Sequence, residues 1–179
     1  MRAFGIETTS ELQNKLSMIV RVGYVVEVDS ATHKAKVRFS DEDSDSHWLR
    51  ILCKNSFKNK DYNMVDLDED VLCLCMPDGI EDGFILGSFY TGAIICPSSD
   101  INERKIQFED DTTVTYNRCT HSLDIKINDT TIHADREIID ISSPNKINLN
   151  SKDINITAST VTIAGKSSVK VTAPNVAIN

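Results

Sequence analysis

Apolar residues in the stretch 123–179 come in pairs that skip one position: Ile125/Ile127, Ile132/Ala134, Ile139/Ile141, Ile147/Leu149, Ile154/Ile156, Val161/Ile163, Val169/Val171 and Val176/Ile178. The first members succeed one another at steps of 7, 7, 8, 7, 7, 8 and 7, so the register returns every 22 residues. Side chains one residue apart point to the same face of a short strand. The Asn, Asp, Ser, Pro and Gly residues between the pairs turn the chain. A fixed period of this kind predicts a β-helix. One such strand leaves both backbone edges open. Buried aliphatic side chains contribute roughly 1.5–3 kcal/mol each, too little here against about 1–2 kcal/mol of entropy per ordered residue. Three copies wound round one axis close the edges and give the pairs a common interior. The expected axis residues are Ile125, Ile132, Ile139, Ile147, Ile154, Ile156, Val161, Ile163, Val169 and Val171. A shaft of this kind, at ~4.8 Å per strand, is about 40 Å long. An antiparallel meander is the competing arrangement. It calls for tight Gly or Asn hairpins, and the stretch holds a single glycine, Gly165.

Upstream the period changes twice. Ser10-Glu11-Leu12-Gln13 has the form of a capping box, and Leu12, Leu16 and Ile19 recur at helical spacing. This predicts a helix from about Glu11 to Met18 with its apolar side on the next domain, after an unpatterned arm of nine residues. From Val20 the period is two. Val20 to Val28 and Lys34 to Phe39 read as a hairpin across Asp29-Ser30-Ala31-Thr32-His33. His47 to Leu52, Val65 to Met76 and Gly83 to Tyr90 supply three more strands, the last two joined at Pro77-Asp78-Gly79. Gly87 inside a strand marks a bulge or a barrel corner. Five strands with a long, bent first hairpin predict an OB-type barrel. The single tryptophan, Trp48, reads as a core or subunit-interface anchor. A linker at Cys96-Pro97-Ser98-Ser99-Asp100 precedes a hairpin, Ile106–Phe108 with Val114–Tyr116, read as a collar. The expected fold is mainly β: an arm and helix at 1–18, the barrel at 19–96, linker and collar at 97–122, and an intertwined trimeric triple-stranded β-helix at 123–179.

The barrel segments also carry a resemblance. Val22-Gly23-Tyr24-Val25-Val26-Glu27-Val28-Asp29, Lys36-Val37-Arg38-Phe39, Trp48-Leu49, Glu69-Asp70-Val71-Leu72, Pro77-Asp78-Gly79 and Gly83-Phe84-Ile85-Leu86-Gly87-Ser88-Phe89-Tyr90 resemble the baseplate assembly protein V family, the central spikes of contractile phage tails and related bacteriocins. Phe108-Glu109-Asp110-Asp111-Thr112, with Tyr116 after it, resembles the family's hairpin before its β-helix. Asp111 stands where that family usually has Gly, and Asp68 replaces a Gly common before the Glu of strand four. The resemblance implies a homotrimeric spike that docks to tail-tube and baseplate hub proteins, touches the target envelope only transiently, and is assembled in a bacterial cytoplasm as part of a virion or tail-like particle. Some members end in a His-x-His that binds iron. This chain has no histidine after His133, so no metal is expected. Because the sequence stops within the repeat, a separate PAAR-like tip protein is expected on Val176, Ile178 and Asn179.

Composition narrows the functional classes. A net charge of −8 argues against a nucleic-acid partner. No apolar run approaches a membrane span, and no secretory signal opens the chain. Ser40 to Ser46 is acidic but lacks the Gly and terminal Glu of a calcium loop. Cys53, Cys73, Cys75 and Cys96 sit among apolar neighbours and read as buried free thiols. His33, His47, His121 and His133 have no triad context. No catalytic residue and no cofactor are expected. The alternatives are an OB-type oligosaccharide- or oligonucleotide-binding module with a trimerising tail, and a β-helical polysaccharide-cleaving enzyme.

Overall fold

The computed structural model describes residues 8–40, 44–76, 82–92 and 94–176. The arm up to residue 7, Asp41-Glu42-Asp43, the Pro77-Asp78-Gly79 turn, and Ile178 and Asn179 of the expected tip lie outside those residues. The chain divides into two units between Ile101 and Asn102, so the expected collar hairpin belongs with the C-terminal unit.

In the first unit, helix α1 spans Thr9–Ser17. The Leu12 N–H donates to the Thr8 carbonyl at 3.1 Å, so the helix opens before the expected capping box and Ser10 lies in its first turn. Thr8 is itself a hydroxyl residue, as good an N-terminal partner as Ser10. Leu12 and Leu16 are exposed, not laid on the barrel.

Strands β1 (Val20–Asp29), β2 (Lys34–Phe39), β3 (Leu49–Ile51), β4 (Asp70–Cys75) and β5 (Gly83–Ser88) close into a barrel in the order β1-β2-β3-β5-β4. All pairings are antiparallel except β3 with β5, which runs parallel from Arg50↔Phe84. The interior is filled by Val25, Ala35, Val37, Phe39, Leu49, Ile51, Val71, Cys73 and Ile85, with Val65 packed against them. The inward face of β1 is Arg21, Gly23 and Val25, which turns Val20, Val22 and Tyr24 outward. Arg21 is buried because its guanidinium lies 3.7 Å from the Phe39 ring centroid, an attraction strengthened by the dry surroundings. Ser46 is buried too: its hydroxyl accepts from the Val37 N–H at 2.9 Å and donates to the His47 carbonyl at 2.8 Å.

Two bulges shape the barrel. One, between Val25 and Glu27, bends the first hairpin. The other sets Leu72 opposite Gly87 and Cys73 opposite Ile85, as expected of Gly87, whose φ is 154°. Asp68 and Asp111, the two positions where the resembling family has Gly, have φ of 64° and 60°. A left-handed backbone costs an L-residue roughly 1–2 kcal/mol, and Asp is among the residues that tolerate it best. Asp68→Gly and Asp111→Gly are therefore each expected to raise stability by about 0.5 kcal/mol, net of the extra unfolded-state freedom of Gly. Urea titration of the single variants checks this, and a loss of stability would contradict it.

Of the two places expected for Trp48, the core is ruled out: the ring is half-buried outside it, with the Lys36 ammonium 4.8 Å from its centroid. The reading of the cysteines is corrected as well. Of the cysteines only Cys73 is buried, and burial pushes its thiol pKa up to about 12. Cys53 and Cys75 are intermediate, and Cys96 and Cys119 are exposed; Cys96 lies in the segment after β5, which ends at Ser88, so no strand carries it into the core.

The second unit is one five-stranded antiparallel sheet, β6 (Glu103–Gln107), β7 (Thr113–Asn117), β8 (Ser122–Ile127), β9 (Thr130–Ala134) and β10 (Ile139–Ser142), in the order β10-β9-β8-β7-β6. No strand is assigned from 143 to 176. Among the described residues no helix is long and apolar enough to cross a membrane.

Candidate interaction surfaces

The second sheet has a polar face and an apolar one. Across its five strands the register aligns Ile106, Val114, Ile125, Ile132 and Ile141 in one row, and Arg104, Tyr116, Leu123, Ala134 and Ile139 in the next row on the same side, with Arg104 its one charged member at the edge strand. The intervening row, on the opposite side, is Lys105, Thr115, Asp124, His133 and Asp140. Period-two patterning dictates this segregation. A sheet with one apolar face normally packs it against a second layer. Among the described residues, every buried apolar residue lies in the first unit, from Val25 to Ile85. Ile106, Leu123, Ile132, Ile139 and Ile141 remain exposed.

The repeat continues beyond this sheet without pairing. In 143–176 the first member of each apolar pair (Ile147, Ile154, Val161, Val169) is 51–54% exposed and the second (Leu149, Ile156, Ile163, Val171) is 68–73% exposed. The same alternation of exposure thus recurs at each apolar pair from Ile147 to Val171. Val176 is likewise exposed.

The structure therefore treats the ten expected axis residues in two ways. Ile125, Ile132 and Ile139 share one sheet face, but within a meander and not within a spiral. The meander, which the scarcity of Gly argues against, is made here by other residues. Asn128 at φ 50° and Asp129 form the two-residue turn between β8 and β9, and His121 at φ 57° lies in the preceding turn. The Asp135 carboxylate accepts from the N–H groups of Glu137 at 2.8 Å and Ile138 at 2.9 Å, which closes the third turn. The other seven, Ile147, Ile154, Ile156, Val161, Ile163, Val169 and Val171, lie in the unpaired segment.

Sequence reasoning missed the outer wall of the barrel. Val20 and Val22 on β1, Leu72 and Leu74 on β4, and Leu86 on β5 face outward, where a barrel strand is usually polar. Valines on both sides of β1 were a signal of this, but Arg21 pointed the wrong way because a charged residue is seldom the inward one.

A set of titratable side chains comes together on the second sheet. His133 Nδ1 lies 2.5 Å from Asp124 Oδ1 and its Nε2 lies 3.6 Å from Asp135 Oδ2. Carboxylates on both sides of an imidazole favour its protonated form. The hydrogen bond to Asp124 raises its pKa above the ordinary value. Protonated His133 then stabilises the sheet below about pH 6.5, and this contribution is lost as pH rises through the folded-state pKa. The thermal midpoint of the second unit is expected to fall between about pH 6 and pH 8, and His133→Gln to flatten that slope. An unchanged slope in the variant would contradict the assignment. Asp135, lowered by the Glu137 and Ile138 N–H groups, has the opposite sign: its contribution is lost as pH drops below the usual carboxylate range. Among the described residues no group of three or more His, Cys, Asp or Glu side chains could hold a metal ion.

Three cations on the β2–β3–β5 wall are matched by carboxylates. Lys36 contacts Glu27 at 2.6 Å, Arg38 contacts Asp45 at 2.7 Å, and Arg50 makes a two-pronged contact with Asp82 at 2.7 and 2.9 Å. No protein-family model matches this chain, and no curated protein matches it.

Proposed function

We propose that this chain forms a non-enzymatic homotrimer serving as the central spike of a contractile injection system. The observation that carries this reading is the apolar face of the β6–β10 sheet, uncovered within its own unit and continued by the unpaired repeat of 143–176. Burying that much aliphatic surface stabilises strongly, at roughly 25 cal/mol per Å². Copies of the same surface are its natural cover. Around a threefold axis the repeats wind into a triple-stranded β-helix, each segment gaining from its neighbours the backbone hydrogen bonds that it lacks alone.

The strand order β1-β2-β3-β5-β4 supports an OB-type barrel, and the segments Val22–Asp29 and Gly83–Tyr90 resemble baseplate assembly protein V. On this reading the barrels form the base that meets tail-tube and hub proteins, and the shaft points at the target envelope as part of a phage or tail-like particle. Sheath contraction drives the spike forward. The shaft needs stiffness, which interchain hydrogen bonding supplies. The paired cations on the β2–β3–β5 wall weigh against the binding-module alternative, since a nucleic-acid groove needs unneutralised Lys and Arg between its aromatics. Sedimentation velocity on the full chain tests the proposal. A mass three times 19.9 kDa is expected, and a monomer overturns it. Hydrolysis of a cell-wall polysaccharide by the purified protein would overturn the non-enzymatic reading.

A further inference from the structure

Two apolar surfaces of the first unit are left exposed by its described residues. The first is a groove on the outer wall of the barrel, lined by Val22, Leu72, Leu86 and Phe89 with Gly87 between them. Val22, Leu86 and Phe89 are exposed, and Gly87 leaves open space where a side chain would stand. The second is the stripe of α1 formed by Leu12 and Leu16, one turn apart and both exposed, with Lys15 beside Leu16 in the last turn.

The helix is not free to fold back onto its own wall. The Met18 N–H donates to the Lys15 carbonyl at 3.3 Å, and the Ile19 N–H to the Leu16 carbonyl at 3.2 Å. The Ile19 carbonyl in turn accepts from the Cys75 N–H at 2.7 Å. The chain thus passes from the last helical turn into the β1–β4 ladder without a slack residue, and reversing it would break this run of bonds. Charge also discriminates. The end of the wall nearest Phe89 carries Glu69 and Asp70, which line the adjoining pocket with Ser88 and Phe89, whereas the helix stripe carries Lys15. Finally, a threefold ring is built from heterologous contacts, in which one patch of each copy meets a different patch of the next. One exposed apolar stripe and one exposed apolar groove per chain are the two halves that such a ring requires.

We infer that α1 of each copy docks into the β1–β4–β5 groove of the next copy, with Leu12 and Leu16 over Val22, Leu72 and Leu86, and Lys15 facing Asp70. The inference rests on the threefold reading proposed above and adds a second interface, at the barrel end, to the one at the shaft. The full chain carrying the photoreactive residue benzoylphenylalanine in place of Leu16, co-assembled from light and heavy-isotope copies, tests it. Crosslinks of mixed isotope joining position 16 to peptides containing Leu72, Leu86 or Phe89 are expected. A trimeric mass with crosslinks only inside one chain, or to any other surface, overturns the helix exchange and leaves the trimer standing. A monomeric mass overturns both. Lys15→Glu is expected to cut the crosslink yield about fivefold, and Lys15→Glu with Asp70→Lys to restore it. Failure of the double variant to recover overturns the pairing of Lys15 with Asp70.

Discussion

On the threefold assembly proposed above, Ile156→Asp is expected to leave the full chain monomeric at concentrations where the unaltered chain assembles. Ile156 is the second member of its pair and is 68% exposed in the single chain, so the substitution costs the isolated chain almost nothing. The penalty arises only on assembly, when three carboxylates meet at one level of the axis. An unpaired ion taken out of water costs several kcal/mol even after relaxation, and three like charges add their repulsion. The expected result is a loss of at least about a thousandfold in association. Asn155→Asp is the control: it adds the same charge one residue away, on the opposite face of the strand, and is expected to assemble normally. Sedimentation of the two variants side by side distinguishes an axial position from a merely sensitive segment. If Ile156→Asp still assembles, residue 156 does not face the axis.

Gly23→Ala is expected to unfold the barrel far more readily, whatever the state of the shaft. Gly23 is buried and pairs with Phe39 on one side and Val71 on the other. A Cβ at this position would overlap the Arg38 carbonyl oxygen and stand 2.7 Å from Val37 Cγ1. The first of these is backbone of the paired strand, which cannot yield without breaking the ladder, and the second belongs to a fully buried core residue. Overpacking of this kind costs typically 1–3 kcal/mol, and a barrel of this size loses about 4–8 °C of midpoint per kcal/mol. A fall of roughly 10–15 °C in the barrel transition is the expected result. A midpoint within about 2 °C of the unaltered protein would mean that the strands part easily here, which the closed pairing of β1 with both neighbours argues against. The two variants probe separate units, so either can fail without the other.

Much of the barrel was legible because local chemistry and tertiary packing agree there. Ala35, Val37 and Phe39 alternate with Lys34, Lys36 and Arg38, and only one face of that strand can be buried. Gly87 announced its bulge, and the Asp29 carboxylate caps its own turn by accepting from the Ala31 and Thr32 N–H groups at 3.0 and 3.3 Å. The β1 strand was harder. Its valines fall on both faces, so alternation could not say which was inner, and the outcome was decided by Phe39 offering its ring to Arg21. The apolar groove at Val22 and Leu72 results from that choice, and no local signal could have revealed it.

The repeat was legible as a period but not as an architecture. Pairs with a two-residue step specify a strand and a face, and the structure has those strands at the first three pairs, on β8, β9 and β10, and none from 143 to 176. Which strands pair is a tertiary matter, because backbone hydrogen bonding is indifferent to side-chain identity and is settled by the turns. Asn128-Asp129 and Asp135 turn the first repeats back on themselves into an antiparallel sheet. Among the described residues, the segment from 143 to 176 forms no strand. Hydrophobic patterning determined what this protein must bury. Turn geometry, acting only in the folded chain, decided how much of it a single copy can bury alone.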